Sequence, residues 1–168
     1  MPGPRIGAAS RKRAVMPMSV ETACFTVGVF QDVEWARRGL DALKGHDFAP
    51  ESMSVVSKET PEAAALFEPA IGHPGLHMDV ARLGPVVAHG PLVRALDGEA
   101  RDLGRLGIAG TMRRVGFQAH DGEIYERLLA RGGVLVAVHH EPRAADALAV
   151  LLNFGAGNAA IGAWGGRV

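Results

Sequence analysis

Histidine is the residue type with the widest chemical range in this sequence. Seven are present, His46, His73, His77, His89, His120, His139 and His140, beside a single cysteine, Cys24. A neutral imidazole binds transition metals and moves protons near neutral pH, so the groupings of these rings decide what chemistry is on offer. His139 and His140 are adjacent at the end of GGVLVAVHH. In a strand, Val134, Val136, Val138 and His140 share one face, and Leu135, Ala137 and His139 share the other, so the two rings cannot hold one ion. His89, near the end of PVVAHGP, is a cross-sheet partner for one of them, giving a two-histidine site that still needs a third ligand. His89, His139 and His140 are therefore the metal candidates. His73 and His77 have the i, i+4 spacing of ligands on one helix face, but Pro74 and Gly75 between them break that face, which leaves a loop chelate with Asp79. The competing account of every grouping is an ordinary histidine on the surface or at the margin of a helix-covered sheet, its ring nitrogens satisfied locally.

Other chemistry is thinner. GAGNAA, residues 155–160, fits the dinucleotide pattern G-x-G-x-x-A. That pattern needs a strand before it and a helix after it, and here the order is reversed. No G-x-S-x-G elbow occurs, and Cys24 has no helix N-terminus or local base to lower its pKa. Glu123 and Glu126 share a helix with Arg127 and Arg131 and read as a solvated face. No catalytic residue and no cofactor is predicted, and the chain is expected not to be an enzyme.

The elements that must position these residues follow from periodicity. FTVGVF, residues 25–30, is a strand. Asp32 caps a helix whose Ala36, Leu40 and Leu43 share a face and which Gly45 closes, and HDFAPE turns into a second strand at residues 53–57. Residues 134–164 repeat the β-α-β pattern, with Pro142 at the helix start, Ala145, Leu148, Leu151 and Leu152 as the stripe, Gly155 as the cap and a strand over residues 158–164. Two β-α-β units in one sheet predict an α+β, ferredoxin-like sandwich, with helices on one sheet face and the other face open. Residues 58–133 form a helical insertion with a short extra edge strand, residues 85–91, flanked by prolines. Within it Leu92, Leu96, Ala100 and Leu103 make a stripe interrupted by Gly98, Gly104, Gly107 and Gly110. The glycines predict a break near residues 104–110, or else a close backbone approach within the fold or between subunits. A helix over residues 121–130 turns Ile124, Leu128 and Leu129 inward.

At 168 residues and 48% hydrophobic content, one core is expected, in a single α+β domain over residues 21–168. Residues 1–20 carry Arg5, Arg11, Lys12 and Arg13 without an acid. They read as a disordered basic tail, or as an extension ahead of a start at Met16 or Met18 rather than Met1. Setting these four bases aside leaves 14 bases against 18 acids. A mildly acidic domain offers no electrostatic footprint for nucleic acid. The uncharged stretch at residues 147–166 contains Asn153, Asn158 and five glycines and does not read as a membrane span. Eight charges from Arg94 to Arg114 exclude one there. The N-terminus lacks an apolar secretory core, and a lone cysteine forms no internal disulfide, so a cytoplasmic location is expected.

The order VGVF, D-capped helix, MSVVS, GPVVAHGPL, glycine-spaced helix, GEIYERLLARGGVLVAVHH resembles the small bacterial general-stress proteins of the YflT type, which include heat- and low-temperature-induced members. The resemblance runs over residues 26–164 and is most specific at YERLLARGGVLVAVH. It implies a ferredoxin-like fold and an association with stress. The long glycine and alanine runs common in that family are replaced here by KETPEAAALFEPAIGHPGLHMDVARL and by a segment rich in arginine and aspartate, so no membrane role carries over. The expected function is that of a cytoplasmic stress-associated protein without catalytic activity. It would act by partner binding or as a homo-oligomer, through the open sheet face or the glycine-spaced helix. The alternative is a small-molecule or metal-binding ferredoxin-like domain using the sheet face and His89, His139 and His140.

Overall fold

The β-branched and aromatic run FTVGVF opens the described part of the chain as strand β1 (Phe25–Phe30) in the computed structural model, which describes residues 25–157. The side chain of Asp32, on extended backbone, accepts a 2.9 Å bond from the Trp35 N–H and so satisfies one of the free donors at the start of helix α1 (Val33–Gly45). Ala36, Leu40 and Leu43 form its buried stripe, and strand β2 (Met53–Lys58) follows. Thr60 caps helix α2 (Pro61–Ile71) in the same way, with Pro61 in the first turn where no N–H is needed. Strands β3 (Leu76–Val80) and β4 (Gly84–His89) make a hairpin. Helices α3 (Pro91–Asp97), α4 (Leu103–Thr111) and α5 (Ala119–Ala130) come next, then strand β5 (Val134–His139) and helix α6 (Ala144–Asn153).

The sheet has the order β1-β5-β2-β4-β3, and every neighbouring pair is antiparallel. β1 and β2 therefore run parallel with β5 between them, and α1 is the crossover of a split β-α-β unit. After α6 the chain returns to β1, where Gly157 and Val29 exchange backbone hydrogen bonds of 2.8 and 2.9 Å. The strand expected at residues 158–164, the basic segment 1–20 and Cys24 lie outside the described residues.

Both faces of this sheet are covered, which corrects the expectation of one open face. Val134, Val136 and Val138 of β5 point into a core shared with Leu40, Leu43, Phe67 and Leu151 of α1, α2 and α6. Leu135 and Ala137 point the other way, against Leu92, Leu96, Ile108, Tyr125 and Leu129 of α3, α4 and α5. The insertion causes this: β4 and β3 widen the sheet beyond β2, and the three helices that follow fold back beneath it. A signal was present in VLVAV and MSVV, where apolar residues occupy consecutive positions as strands buried on both sides require. The buried Ser54 hydroxyl within MSVV accepts a 2.8 Å bond from the Leu92 N–H at the start of α3, joining strand to covering helix.

Three smaller expectations change as well. The strand expected as an edge at residues 85–91 is β4, an inner strand; Pro85 stands near its start and Pro91 already belongs to α3. The edge is β3. On α6 the buried residues are Ala147, Val150 and Leu151, while Ala145 is exposed. The glycine-spaced segment is broken twice, between α3 and α4 and again at Gly107, whose φ of 82° and ψ of 176° interrupt α4. Ala100 consequently falls in a connection. The remaining close approaches are made within the chain: a Cβ at Gly104 would lie 2.7 Å from the Asp79 carbonyl oxygen, and one at Gly122 of α5 would lie 3.1 Å from Ala109 Cα. At these two glycines the close backbone approach is met within the chain.

Candidate functional site

The three histidines singled out as metal candidates are held apart. His139, at the end of β5, stacks on Phe25 with ring centroids 4.6 Å apart, on the face covered by α3, α4 and α5. His140 sits edge-on to Phe48 at 5.8 Å, on the other side. Its Nδ1 is shielded from solvent and has no hydrogen-bond partner among the described residues. His89 lies opposite Val55 of β2, which in turn lies opposite Val136 of β5, four residues before His140. At about 3.3 Å per residue that offset alone is ~13 Å.

What the fold brings together instead is His89 and His73, stacked at 4.3 Å with ring planes 18° apart. Imidazole lone pairs lie in the ring plane, so two nearly parallel rings direct theirs side by side rather than at one ion. Burial, then the neighbouring His73 and Arg94, hold His89 below the usual histidine range, which favours a neutral ring in the stack. The loop chelate of His73, His77 and Asp79 does not form either. His77 and Asp79 are strand residues of β3, and His77 Nδ1 pairs with Glu59 at 3.1 Å. Among the described residues no cluster of three or more His, Cys, Asp or Glu side chains is placed to hold a metal ion.

The group that sequence reasoning misplaced is Glu126. Expected on a solvated face, it is only 8% exposed, on the side of α5 that also buries Gly122, Tyr125 and Leu129. Its i, i+4 relation to Gly122 and i, i+3 relation to Leu129 were the available signal. The break at Gly107 explains why a carboxylate is tolerated there. Where the helix is interrupted, the Ala109 N–H and the Leu106 carbonyl need outside partners. Glu126 Oε1 accepts a 2.8 Å bond from the Ala109 N–H. Arg82, in the β3–β4 turn with a φ of 68°, donates through Nη2 to the Leu106 carbonyl at 2.9 Å and to Glu126 Oε1 at 3.2 Å, and through Nε to Glu126 Oε2. One buried carboxylate thus ties the hairpin turn, the broken helix and α5 together. The same contacts raise the Arg82 pKa further above its ordinary value, the hydrogen bond to Glu126 first.

Around this pair opens a cleft of about 680 Å³. It is lined by Arg82 and Glu126, by Gly110 of α4 and Arg113 just beyond it, and by Glu123 and Arg127 of α5. Glu123, Glu126 and Arg127 reach it together because i, i+3 and i+4 share one helix face. Alanines on both helices leave the space open. Among the described residues the guanidiniums of Arg113 and Arg127 have no hydrogen-bond or ion-pair partner, and both residues are exposed. A second arginine network, in which Arg114 binds Asp102 at 2.6 and 3.0 Å and the Leu96 carbonyl at 2.8 Å, ties α3 to the start of α4. Arg114 holds the Asp102 carboxyl below the usual range, mainly through that hydrogen bond.

No protein-family model, curated protein or solved structure matches this chain. Among the described residues, no helix is long and apolar enough to cross a membrane.

Proposed function

We propose that this protein is a cytoplasmic, stress-associated binding domain without catalytic activity, and that it holds a small molecule in the cleft between α4 and α5. The observation that carries the reading is the cleft itself. Its volume of about 680 Å³ lies within the range of small-molecule sites, and its walls combine small residues with a few charged groups around an anchored ion pair. Guanidinium groups stay protonated at any physiological pH, and the Glu126 carboxylate is already committed to three donors. Such groups suit holding a ligand better than moving a proton.

The stress association rests on the resemblance of YERLLARGGVLVAVH and the surrounding order of elements to the YflT-type proteins. A ferredoxin-like core is part of the same proposal. It is supported by the split β1-α1-β2 unit, by β5 between those strands, and by the return of the chain after α6 to the outer edge of β1 at Gly157. Residues 58–133 then stand as an insertion that widens the sheet and supplies the cleft. The small-molecule reading moves from the histidines to this cleft because the sheet faces are covered and the rings are separated.

A screen of neutral, cationic and anionic fragments against the ¹⁵N-labelled full chain tests the proposal. Hits are expected to move the amide signals of Ala109, Gly110, Glu123 and Arg127 together and saturably. A library that moves none of them removes the ligand-binding reading. Protein abundance before and after heat and cold shock tests the stress association, and an unchanged level under both removes it.

A further inference from the structure

Resting on the reading of the cleft as a ligand site, we infer that the ligand is a small molecule bearing an oxyanion, a phosphate or carboxylate, gripped by Arg113 and Arg127 in front of Arg82. Three observations converge on this class.

The first is the distribution of charge. Residues 25–157 contain 13 Lys and Arg against 17 Asp and Glu, so the domain is net acidic, yet three guanidiniums meet in one cleft against two carboxylates. Gathering arginines within one cavity costs mutual repulsion that an anionic ligand relieves. The second is that the positive groups divide into one fixed and two free. Glu126 and the Leu106 carbonyl hold Arg82 through Nε and Nη2, while Nη1 has no partner among the described residues. Arg82 is therefore oriented before any ligand arrives, with Glu126 as its positioning residue. Arg113, in the turn just after α4, and Arg127, on α5, line the cleft from two different elements and have no partners among the described residues, as the two sides of a clamp require. A guanidinium presents a planar fork of N–H donors that matches the two oxygens of a carboxylate or phosphate, so a pair of them fixes an oxyanion in orientation as well as position.

The third is the limit on size. Glu123, one helical turn from Arg127, leaves the lining with a net charge of only +1, and the surrounding acidic domain repels extended polyanions. A small mono- or dianion fits this balance and a nucleic acid does not. Glu123 is then the acceptor for a hydroxyl or ammonium group on the same molecule.

Amide NMR of the ¹⁵N-labelled full chain at constant ionic strength tests the inference. Inorganic phosphate and succinate are titrated in separate arms, with glycerol as the neutral probe and ethylammonium as the cationic one. The expected result is saturable movement of the Ala109, Gly110, Arg113, Glu123 and Arg127 amides with one or both anions and none with glycerol or ethylammonium. Which anion arm responds identifies the phosphate or the carboxylate. Arg113→Gln and Arg127→Gln are each expected to weaken binding about tenfold, the lysine replacements to weaken it less, and Arg94→Gln, remote on α3, to leave it unchanged. Both clamp residues are exposed, and an unchanged amide spectrum outside the cleft verifies that each variant is folded. Anion shifts that scatter over the whole surface, never saturate, or survive both glutamine substitutions overturn the inference. If a neutral or cationic fragment occupies the cleft while neither anion does, the oxyanion class falls and the ligand site stands. If nothing moves the cleft amides, both fall.

Discussion

Gly107→Ala separates a broken helix α4 from a continuous one by the sign of its effect. With φ at 82° and ψ at 176°, residue 107 occupies backbone space that side chains other than hydrogen avoid. Forcing an alanine to remain there costs about 1–3 kcal/mol. The added Cβ would also stand 2.5 Å from Arg82 Nη2 and 3.3 Å from the Ala81 carbonyl oxygen, so Arg82 must shift from Glu126 and Leu106 or the turn must move. The smaller conformational freedom of alanine in the unfolded chain opposes this by only ~0.4–1 kcal/mol. The expected net result is destabilisation by roughly 1–3 kcal/mol, read as a lower urea midpoint and a fall in Tm of about 2–12 °C for a chain of this size. In a continuous helix the same substitution would stabilise by about 1 kcal/mol, because alanine is the better helix former. Equal or greater stability in Gly107→Ala, with increased helical circular dichroism, therefore refutes the break. The contact with Arg82 has its own signature: in an Arg82→Ala background, Gly107→Ala costs less than it does alone, and additive effects exclude that contact.

Glu126→Ala leaves the Ala109 N–H without its acceptor inside the fold, and urea denaturation is expected to register a loss of about 1–3 kcal/mol; an unchanged midpoint places Glu126 back on the solvated face. His89 is depressed below its ordinary value of 6.5, so the folded state binds fewer protons than the unfolded one in the window just below that value. Its contribution is complete above pH 6.5 and is lost as the pH falls toward and through the folded-state pKa. The urea midpoint of the wild type should therefore drop relative to His89→Gln between pH 7.5 and pH 5, and parallel pH profiles exclude the effect. A Cβ at Gly39 would lie 2.3 Å from the ring of the fully buried Phe30, so Gly39→Ala is expected to cost about 1–3 kcal/mol through overpacking, with part recovered in the Phe30→Leu background. No recovery in the double variant removes that contact as the cause.

Much of the local architecture was legible because it depends on neighbours in the chain. The Asp32 cap, the Ala36, Leu40 and Leu43 stripe, strands β1, β2 and β5 and the left-handed Gly155 all follow from period, propensity and cap chemistry within a few residues. The separation of His139 from His140 follows in the same way, since alternation is a property of any strand. Strand β3 was legible in part: Leu76, Met78 and Val80 alternate with His77 and Asp79, but Pro74 and Gly75 directly before them obscured that period-2 signal. The burial of Glu126 was ambiguous because a helix face shows its own period but not what will be laid across it.

The amino-acid order by itself determined strands β1, β2 and β5, helix α1 with its cap, the helix that follows β5, and which strand side chains share a face. Tertiary structure decided what each face meets. That β5 lies between β1 and β2, that α3, α4 and α5 close the second sheet face, that His73 stacks on His89, and that Arg82 crosses from a hairpin turn to a carboxylate 44 residues away are matters of packing between distant segments. Backbone hydrogen bonds and side-chain alternation act over a few residues and leave a local trace. Burial of apolar area has no direction along the chain, so the partner of an apolar face, and the cleft lined by α4 and α5, appear only once the whole core has condensed.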